Sequence, residues 1–252
     1  MAPAHARVLD ELRDRVARIE QAGRPQRPVV PFGVAAIDER LPQGGLVLGA
    51  LHEIAGGGLG ALHAAAAALF VAGMLARIDG PVLWCLRTRD LFAPALAGAG
   101  LHPDRVIFAE AGEERTVLLC IEKGLRHAGL GGVVGEVGHL PMTASRRLQL
   151  AAEASGVTAF VIRRWRTLQD AEAFGQPTAA MTRWRITALP SAPLPVPGIG
   201  RARWRLELVR VRGGEGGSWD VEACDAQGRL AVPSDLADRP IAPAARQQRA
   251  CP

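Results

Sequence analysis

The sequence predicts an α/β protein with a mostly parallel sheet and an antiparallel β extension at its C-terminal side. The first indication lies at residues 45–76, where an apolar run leads through a glycine-rich loop into an alanine-rich helix. From residue 31 to about 162, short apolar runs alternate with helical segments, which is typical of parallel strands covered on both faces. After Arg163 the helices give way to strands in which arginine and apolar residues alternate.

The composition favours a protein of the cytoplasm. The chain has 252 residues, of which 48% are hydrophobic and 22% charged, as in ordinary globular proteins with one large core. The segment Ala2–Glu20 is charged throughout, unlike a secretory signal, and the apolar run Leu59–Leu75 is shorter than the roughly 20 residues of a membrane span. The four cysteines have no C-x-x-C spacing, so neither a zinc site nor a disulfide framework is indicated.

An amphipathic helix is predicted at residues 4–21. Its apolar side chains recur at steps of three and four residues, and Gly23 and Pro25 end the pattern; they are Leu9, Leu12, Val16 and Ile19. Two interpretations remain open at this point. The helix packs on its own domain, or it is an arm that docks on a partner or a neighbouring protomer.

The remaining elements follow from the same patterns. Strands are predicted at Val82–Leu86, Val106–Ala109, Gly132–Val137, Ala159–Arg163, Arg183–Thr187, Arg203–Val211 and Ser218–Ala223, the last three antiparallel. Helices are predicted at Ala61–Ala76, Leu91–Gly98, Glu114–His127 and Thr143–Ser155, the last capped by Thr143 or Ser145. We therefore divide the chain into a helix at 1–24, a core at 25–232 whose basic extension starts near 164, and a tail at 233–252 that is expected to be disordered.

The glycine-rich loop has the layout of a phosphate loop but lacks its lysine. The motif is G-x-x-x-x-G-K-[ST], in which backbone N–H groups and the lysine hold phosphates and the hydroxyl holds Mg²⁺. With the loop glycines at Gly56, Gly57, Gly58 and Gly60, the lysine position falls on Leu62 and the hydroxyl position on His63. The only lysine of the chain is Lys123. The sequence thus predicts a nucleotide-binding fold without its phosphate chemistry, and no cofactor or metal.

The order of these features resembles the RecA-like recombinase core over residues 31–163. More specifically, the chain resembles the ImuA family of damage-inducible mutagenesis proteins, which are RecA-like and related to the cell-division inhibitor SulA. The residues that carry the closer likeness are PFG…ID…LPxGGL at 31–46, HEIAG at 52–56 and TRWRITALPS…GIGRARWRLELVRVRGG at 182–214. This likeness covers nearly the whole chain.

The resemblance implies that the other two ATPase parts are also lost. The metal-binding acid of RecA-like proteins falls on Gly135 within Val133–Glu136. Glu136 would replace it only after a shift of one residue, which turns a side chain to the other face of a strand. Where RecA has a catalytic glutamate after the next strand, this chain reads Arg87-Thr88-Arg89. Nucleotide binding without hydrolysis, through the amides of Gly56–Gly60, stays open.

The resemblance also implies a role and partners. ImuA proteins act beside ImuB, a polymerase-like protein without catalytic residues, and an error-prone DNA polymerase in mutagenic translesion synthesis during the SOS response. We therefore expect a non-catalytic accessory protein of DNA repair in the cytoplasm, at the nucleoid, with these two partners and RecA as a further candidate. Two rivals remain: a recombinase-type ATPase, against which Leu62 argues, and a SulA-like division inhibitor, which is a shorter protein.

The C-terminal half concentrates positive charge. Residues 163–212 hold ten arginines against three acids, and tryptophan is interleaved with arginine in three clusters. These candidate residues for binding DNA or a partner are Arg163, Arg164, Arg166, Arg183, Trp184, Arg185, Arg203, Trp204 and Arg205. In one interpretation arginine holds phosphates of single-stranded DNA while tryptophan stacks on bases. In the other, the tryptophans are core, and alternate residues such as Arg183, Arg203 and Arg205 face solvent or a partner.

Overall fold

An eight-stranded mixed sheet organises the protein, whose structure is a computed structural model that describes residues 27–192, 198 and 200–233. The predicted helix at 4–21 and the tail from residue 234 lie outside the described residues, as do 193–197 and 199 of the predicted linker. None of the helices in the described part of the chain has the length and apolar character needed to cross a membrane.

The strand order of the sheet is β10-β9-β8-β3-β7-β6-β4-β5, and a separate ribbon pairs β1 with β2. The strands are β1 (Val29–Val30), β2 (Leu46–Val47), β3 (Leu51–Gly56), β4 (Val82–Leu86), β5 (Val106–Glu110), β6 (Gly132–Val137), β7 (Thr158–Arg163), β8 (Thr182–Leu189), β9 (Arg203–Val211) and β10 (Gly217–Glu222). The six strands from β8 to β5 run parallel, and β9 and β10 extend the sheet in antiparallel fashion.

The predicted fold class is confirmed, with one difference in topology. The strand β8 was expected to be antiparallel, but it pairs in parallel with β3 and only its other edge is antiparallel. The reason is the crossover after β7, which carries the chain past β3 before β8 begins. The basic half therefore contributes one strand to the parallel sheet and two to its extension.

Helices cover both faces of the sheet. They are α1 (Ala35–Asp38), α2 (Ala61–Ala76), α3 (Ala93–Gly98), α4 (Glu114–Gly124), α5 (Met142–Ser155) and α6 (Leu168–Ala173), with 3₁₀ turns at Pro42–Gly44 and Pro103–Arg105. The helix α2 packs into one apolar cluster with Trp84, Phe160, Trp184 and Trp204, while α4 and α5 pack into another on the opposite face. The Trp184 ring lies 5.2 Å from that of Phe32, which confirms the core interpretation of the tryptophan.

Several predicted boundaries differ by a few residues from the observed ones, and two differences have identifiable reasons. The apolar run before the glycine loop is not one element, because Leu46–Val47 pairs with β1 and the strand that enters the loop runs over Leu51–Gly56. The helix α5 begins at Met142 after Pro141, without a side-chain cap; Ser145 Oγ instead donates to the Met142 carbonyl. The helix α6 was not predicted, although Thr167 and Asp170 form a capping box at its start.

Candidate functional site

The glycine loop lies at the carboxyl edge of the sheet, between β3 and α2, and is pressed against β8. The N–H of Gly57 donates to the Ile186 carbonyl at 2.7 Å. A Cβ atom at Gly57 would lie only 1.8 Å from Thr187 Oγ1, so this position requires glycine for close packing. At least one loop amide is therefore used within the protein rather than being free for a phosphate.

The positions that correspond to the lysine and the hydroxyl of a phosphate loop are Leu62 and His63. The Leu62 side chain projects outward with 69% of its surface exposed. The His63 ring lies beside the loop, since a Cβ atom at Gly58 would come within 3.1 Å of its Nε2. Its Nδ1 accepts a hydrogen bond from the Ala188 N–H at 3.3 Å. His63 thus links the loop to β8.

The strand β6 presents Glu136, rather than Gly135, to the face covered by α2. A Cβ atom at Gly135 would meet Ile121 of α4 at 2.0 Å, on the opposite face. Glu136 shares its face with Val134, and it accepts a hydrogen bond from Trp84 Nε1 at 2.9 Å. Gly135, to which the metal-binding position was assigned, therefore faces α4, and Glu136 faces α2, because pleating alternates the side chains of a strand.

Glu136 is already bound to a cation of the protein itself. Arg164, just after β7, places Nη1 at 2.7 Å from Glu136 Oε2 and Nη2 at 2.7 Å from Asp90 Oδ2. Burial raises the pKa of Glu136, although the charge of Arg164 and the bond from Trp84 oppose the rise. The guanidinium thus bridges two carboxylates, a position that a divalent metal takes in an acidic site.

A small cleft of about 50 Å³ opens beside this network, where β4, β6 and β7 end. Its charged lining is balanced, with three arginines and three acids: Arg87, Arg164, Arg166, Glu114, Glu136 and Asp170. Thr88 lies in the segment where RecA has its catalytic glutamate. Its hydroxyl accepts a hydrogen bond from Arg166 at 3.3 Å. The volume suits a water molecule or two and is far below that of a nucleotide pocket.

A second network is buried around Glu53 of β3, on the face of the sheet opposite α2. Its carboxylate lies 2.8 Å from Arg163 Nη1 and 2.8 Å from Arg183 Nε, and it accepts a hydrogen bond from Thr178 Oγ1 at 2.7 Å. Arg183 also lies over the Phe174 ring, 4.5 Å from its centroid. Three strands and the segment after β7 are joined at this point.

The structure places the candidate DNA-binding or partner-binding residues in very different environments. Arg163, Arg183, Trp184 and Trp204 are buried, so they are corrected from candidate surface residues to interior ones. Arg183 is inaccessible because β8 has neighbours on both edges and Phe174 above it. Arg164 serves the Glu136 network. The members left at the surface, in whole or in part, are Arg166, Arg185, Arg203 and Arg205.

The face of β8, β9 and β10 that is turned away from α2, which we call the outer face, alternates in charge and is not uniformly basic. Arg205 Nε lies 2.8 Å from Asp220 Oδ1, and Arg185 Nη1 lies 3.6 Å from Glu207 Oε1. We call this set, Arg185, Arg203, Arg205, Glu207 and Asp220, the charge ladder. The count over residues 163–212 stops short of Asp220, and for that reason it overstated the positive charge of this face.

Neither Glu53 nor Asp90 was among the predicted site residues. A charged residue within an apolar strand, as in His52-Glu53-Ile54, is a signal that could have identified Glu53. Its partners lie 110 and 130 positions away, so no local pattern connects them. Asp90 lies in a turn and has no comparable signal.

Comparisons with known proteins identify a relative by sequence and a similar fold by structure. No family model matches the sequence. Protein ImuA of two Caulobacter vibrioides strains is 38% identical over 244 residues, which cover 92% of this chain and 99% of that protein. The RadB recombinase structure aligns with a TM-score of 0.53 at 16% identity, over 81% of this chain and 99% of its own, which identifies a RecA-like fold. On this identity and coverage, the chain belongs to the ImuA family.

Proposed function

We propose that the protein is a non-catalytic accessory factor of mutagenic translesion DNA synthesis in the SOS response. It acts in the cytoplasm, at the nucleoid, beside an ImuB-type inactive polymerase and an error-prone DNA polymerase. Membership of the ImuA family supports the accessory role. The observation that carries the non-catalytic part is the exposed Leu62, which stands at the lysine position of the loop.

Phosphoryl transfer depends almost entirely on positioned positive charge. A lysine and a metal ion neutralise the charge that develops on the transferred phosphoryl group, and an acid or polar side chain orients the attacking water. Here the loop supplies Leu62 and a His63 whose Nδ1 is bonded to the Ala188 N–H, while Arg164 engages Glu136, the acid on the α2 face. Arg164 is held by two carboxylates, so its charge is committed to the fold. These features support a pseudo-ATPase.

The charge ladder is the surface we assign to partner binding. Its signs alternate across neighbouring strands, so a polyanion such as single-stranded DNA would meet carboxylates as well as arginines. A protein surface with complementary alternating charges has no such conflict, and charge complementarity selects partners and their register. The tryptophans expected to stack on bases are in the core, which leaves DNA binding without that contribution. We therefore favour a protein partner on this surface.

An ATPase assay on the purified full-length protein tests the non-catalytic part. We expect phosphate release at background level, with and without single-stranded DNA, and no difference between wild type and Leu62→Asp. The variant is a matched control because Leu62 is exposed, and its carboxylate would repel a bound phosphate. DNA-stimulated release by the wild type that disappears in Leu62→Asp would establish the rival function, a recombinase-type ATPase.

A further inference from the structure

An apolar groove lies between α4 and α5, on the face of the sheet opposite α2. It has a volume of about 640 Å³ and is lined by Glu122, Leu125, Arg126, Ala128, Arg147, Leu150, Ala151, Ala154 and Ser155. Leu125 is buried at its base, whereas Leu150 is 64% exposed. The alanines keep the walls low, which leaves room for incoming apolar side chains.

Charged residues border this groove. Glu122 lies 3.2 Å from Arg126 and 3.0 Å from Arg147, so one acid is shared by two arginines. An apolar strip with ion pairs along its rim is the surface that an amphipathic helix fits, because such a helix has an apolar stripe between charged flanks.

The described chain begins beside this groove. Arg27 places Nη2 at 3.1 Å from Glu153 Oε1 on α5, and its Nη1 donates to the Gly49 carbonyl at 3.4 Å. Glu153 is three residues from Leu150, so the two differ by about 4.5 Å along the helix axis. Arg27, the first described residue, therefore contacts α5 about one helical turn from Leu150.

We propose that residues 4–21 of the same chain bind in the groove between α4 and α5, with Leu9, Leu12, Val16 and Ile19 facing Leu125 and Leu150. This segment has an apolar stripe flanked by arginines and acids, which matches the groove and its rim. Residues 22–26 suffice as a connection, because each extended residue spans about 3.3–3.6 Å. The short connection favours the segment of the same chain over that of a second copy, through its high effective concentration.

Trypsin cleavage within the segment measures whether it is bound. The full-length protein has arginines at positions 7, 13, 15 and 18, and cleavage after each can be followed by mass spectrometry. A bound segment is cut only while it is released, so the rate tracks the population of the open form. We expect Leu150→Asp to accelerate these cuts about tenfold, and Leu12→Asp to do the same from the other side of the contact.

A matched control and a double variant complete the test. Val232→Asp changes another exposed apolar residue, 62% exposed and outside the groove, and should cleave as the wild type does. The double variant Leu12→Asp, Leu150→Asp should be no faster than the faster single variant, because both remove one contact. Since Leu150 is exposed, circular dichroism and the thermal transition of the core should be retained.

Three outcomes would overturn the proposal. The first is cleavage of wild type as fast as that of Leu150→Asp. The second is an additive double variant, which would mean that the two residues act separately. The third is protection that falls on dilution while light scattering shows a dimer, because the occupant would then be the segment of a second copy.

Discussion

The two Arg-Trp-Arg motifs on β8 and β9 are identical in sequence, but their arginines lie in different environments. In both, the tryptophan enters the apolar cluster under α2. The arginines of the first motif include the buried Arg183, bound to Glu53, whereas the second motif has the exposed Arg205, bound to Asp220 at the surface. The same three-residue motif thus contributes an interior ion pair in β8 and a solvated ion pair in β9.

Position in the sheet explains this difference. The strand β8 lies between β3 and β9, and the segment after β7 covers its outer face, with Phe174 over Arg183. The strand β9 lies further toward the sheet edge, and its outer face stays open to solvent. Counts of arginine along a sequence therefore measure composition, and burial decides what each arginine does.

Truncation of the two tryptophans should give the largest effects, and similar ones. Trp184→Ala and Trp204→Ala each leave a cavity in the same apolar cluster, so each should lower the free energy of unfolding by about 3–5 kcal/mol. Urea unfolding followed by circular dichroism measures this. If either variant lost DNA affinity with unchanged stability, its tryptophan would be a stacking residue and the shared feature of the two motifs would disappear.

Substitution of the arginines should affect stability differently in the two motifs, whereas substitution of the tryptophans should affect it similarly. Arg183→Gln removes a buried partner of Glu53, and loss of one member of a buried ion pair lowers stability by about 3 kcal/mol. Arg205→Gln makes the same chemical change at the surface and should leave the thermal midpoint where it is. Thermal unfolding of both variants side by side tests the comparison. Equal midpoints would mean that the network around Glu53 does not stabilise the fold.

Low pH should lower the free energy of unfolding through His52, a buried residue next to the Arg-Trp-Arg motif of β8. His52 lies under Trp184, because its Nδ1 is 2.7 Å from Thr182 Oγ1, which in turn accepts a hydrogen bond from Trp184 Nε1 at 2.9 Å. The other nitrogen, Nε2, donates to the Val47 carbonyl at 2.8 Å. Burial lowers the pKa of His52 from 6.5 to about 4, although the bond to Val47 opposes the change. The folded protein therefore holds this ring neutral where the unfolded chain protonates it.

The sign of the pH effect follows from that lowered pKa. Above pH 6.5, His52 does not lower the free energy of unfolding. As pH falls from 6.5 toward 4, protonation of His52 in the unfolded chain lowers that free energy, by up to about 3 kcal/mol in total. His52→Gln removes this titration, so the difference in unfolding free energy between variant and wild type should change across that window. The raised pKa of Glu136 acts with the opposite sign, and it cancels in the difference because both proteins contain it. A difference that is constant with pH would mean that His52 does not titrate there.

The sequence predicted what local patterns determine. The helix α2 and the strands β4, β6 and β9 were predicted with the observed bounds, since each is a mostly apolar run or, in β9, a nearly regular alternation. It did not predict which face Glu136 takes, because that depends on the register of β6 against β4 and β7. The Glu53 network joins strands far apart in sequence, and α6 is only six residues long. Contacts of that range arise from topology, which no local pattern contains.

Reversal of one ion pair in the charge ladder should have the smallest effect on stability and a clear effect on recognition. The double variant Arg205→Asp, Asp220→Arg exchanges the two charges across β9 and β10, so an ion pair remains and the thermal midpoint should not move. A protein partner reads the position of each charge, and its affinity should fall in the double variant. Single-stranded DNA responds to total positive charge, which the exchange conserves, and any DNA affinity and its salt slope should stay as in the wild type. Binding to the ImuB-type protein, measured by calorimetry at two salt concentrations, separates the two ligands. Unchanged partner affinity, with damage-induced mutagenesis at the wild-type level, would show that the ladder only solvates the outer face of the sheet.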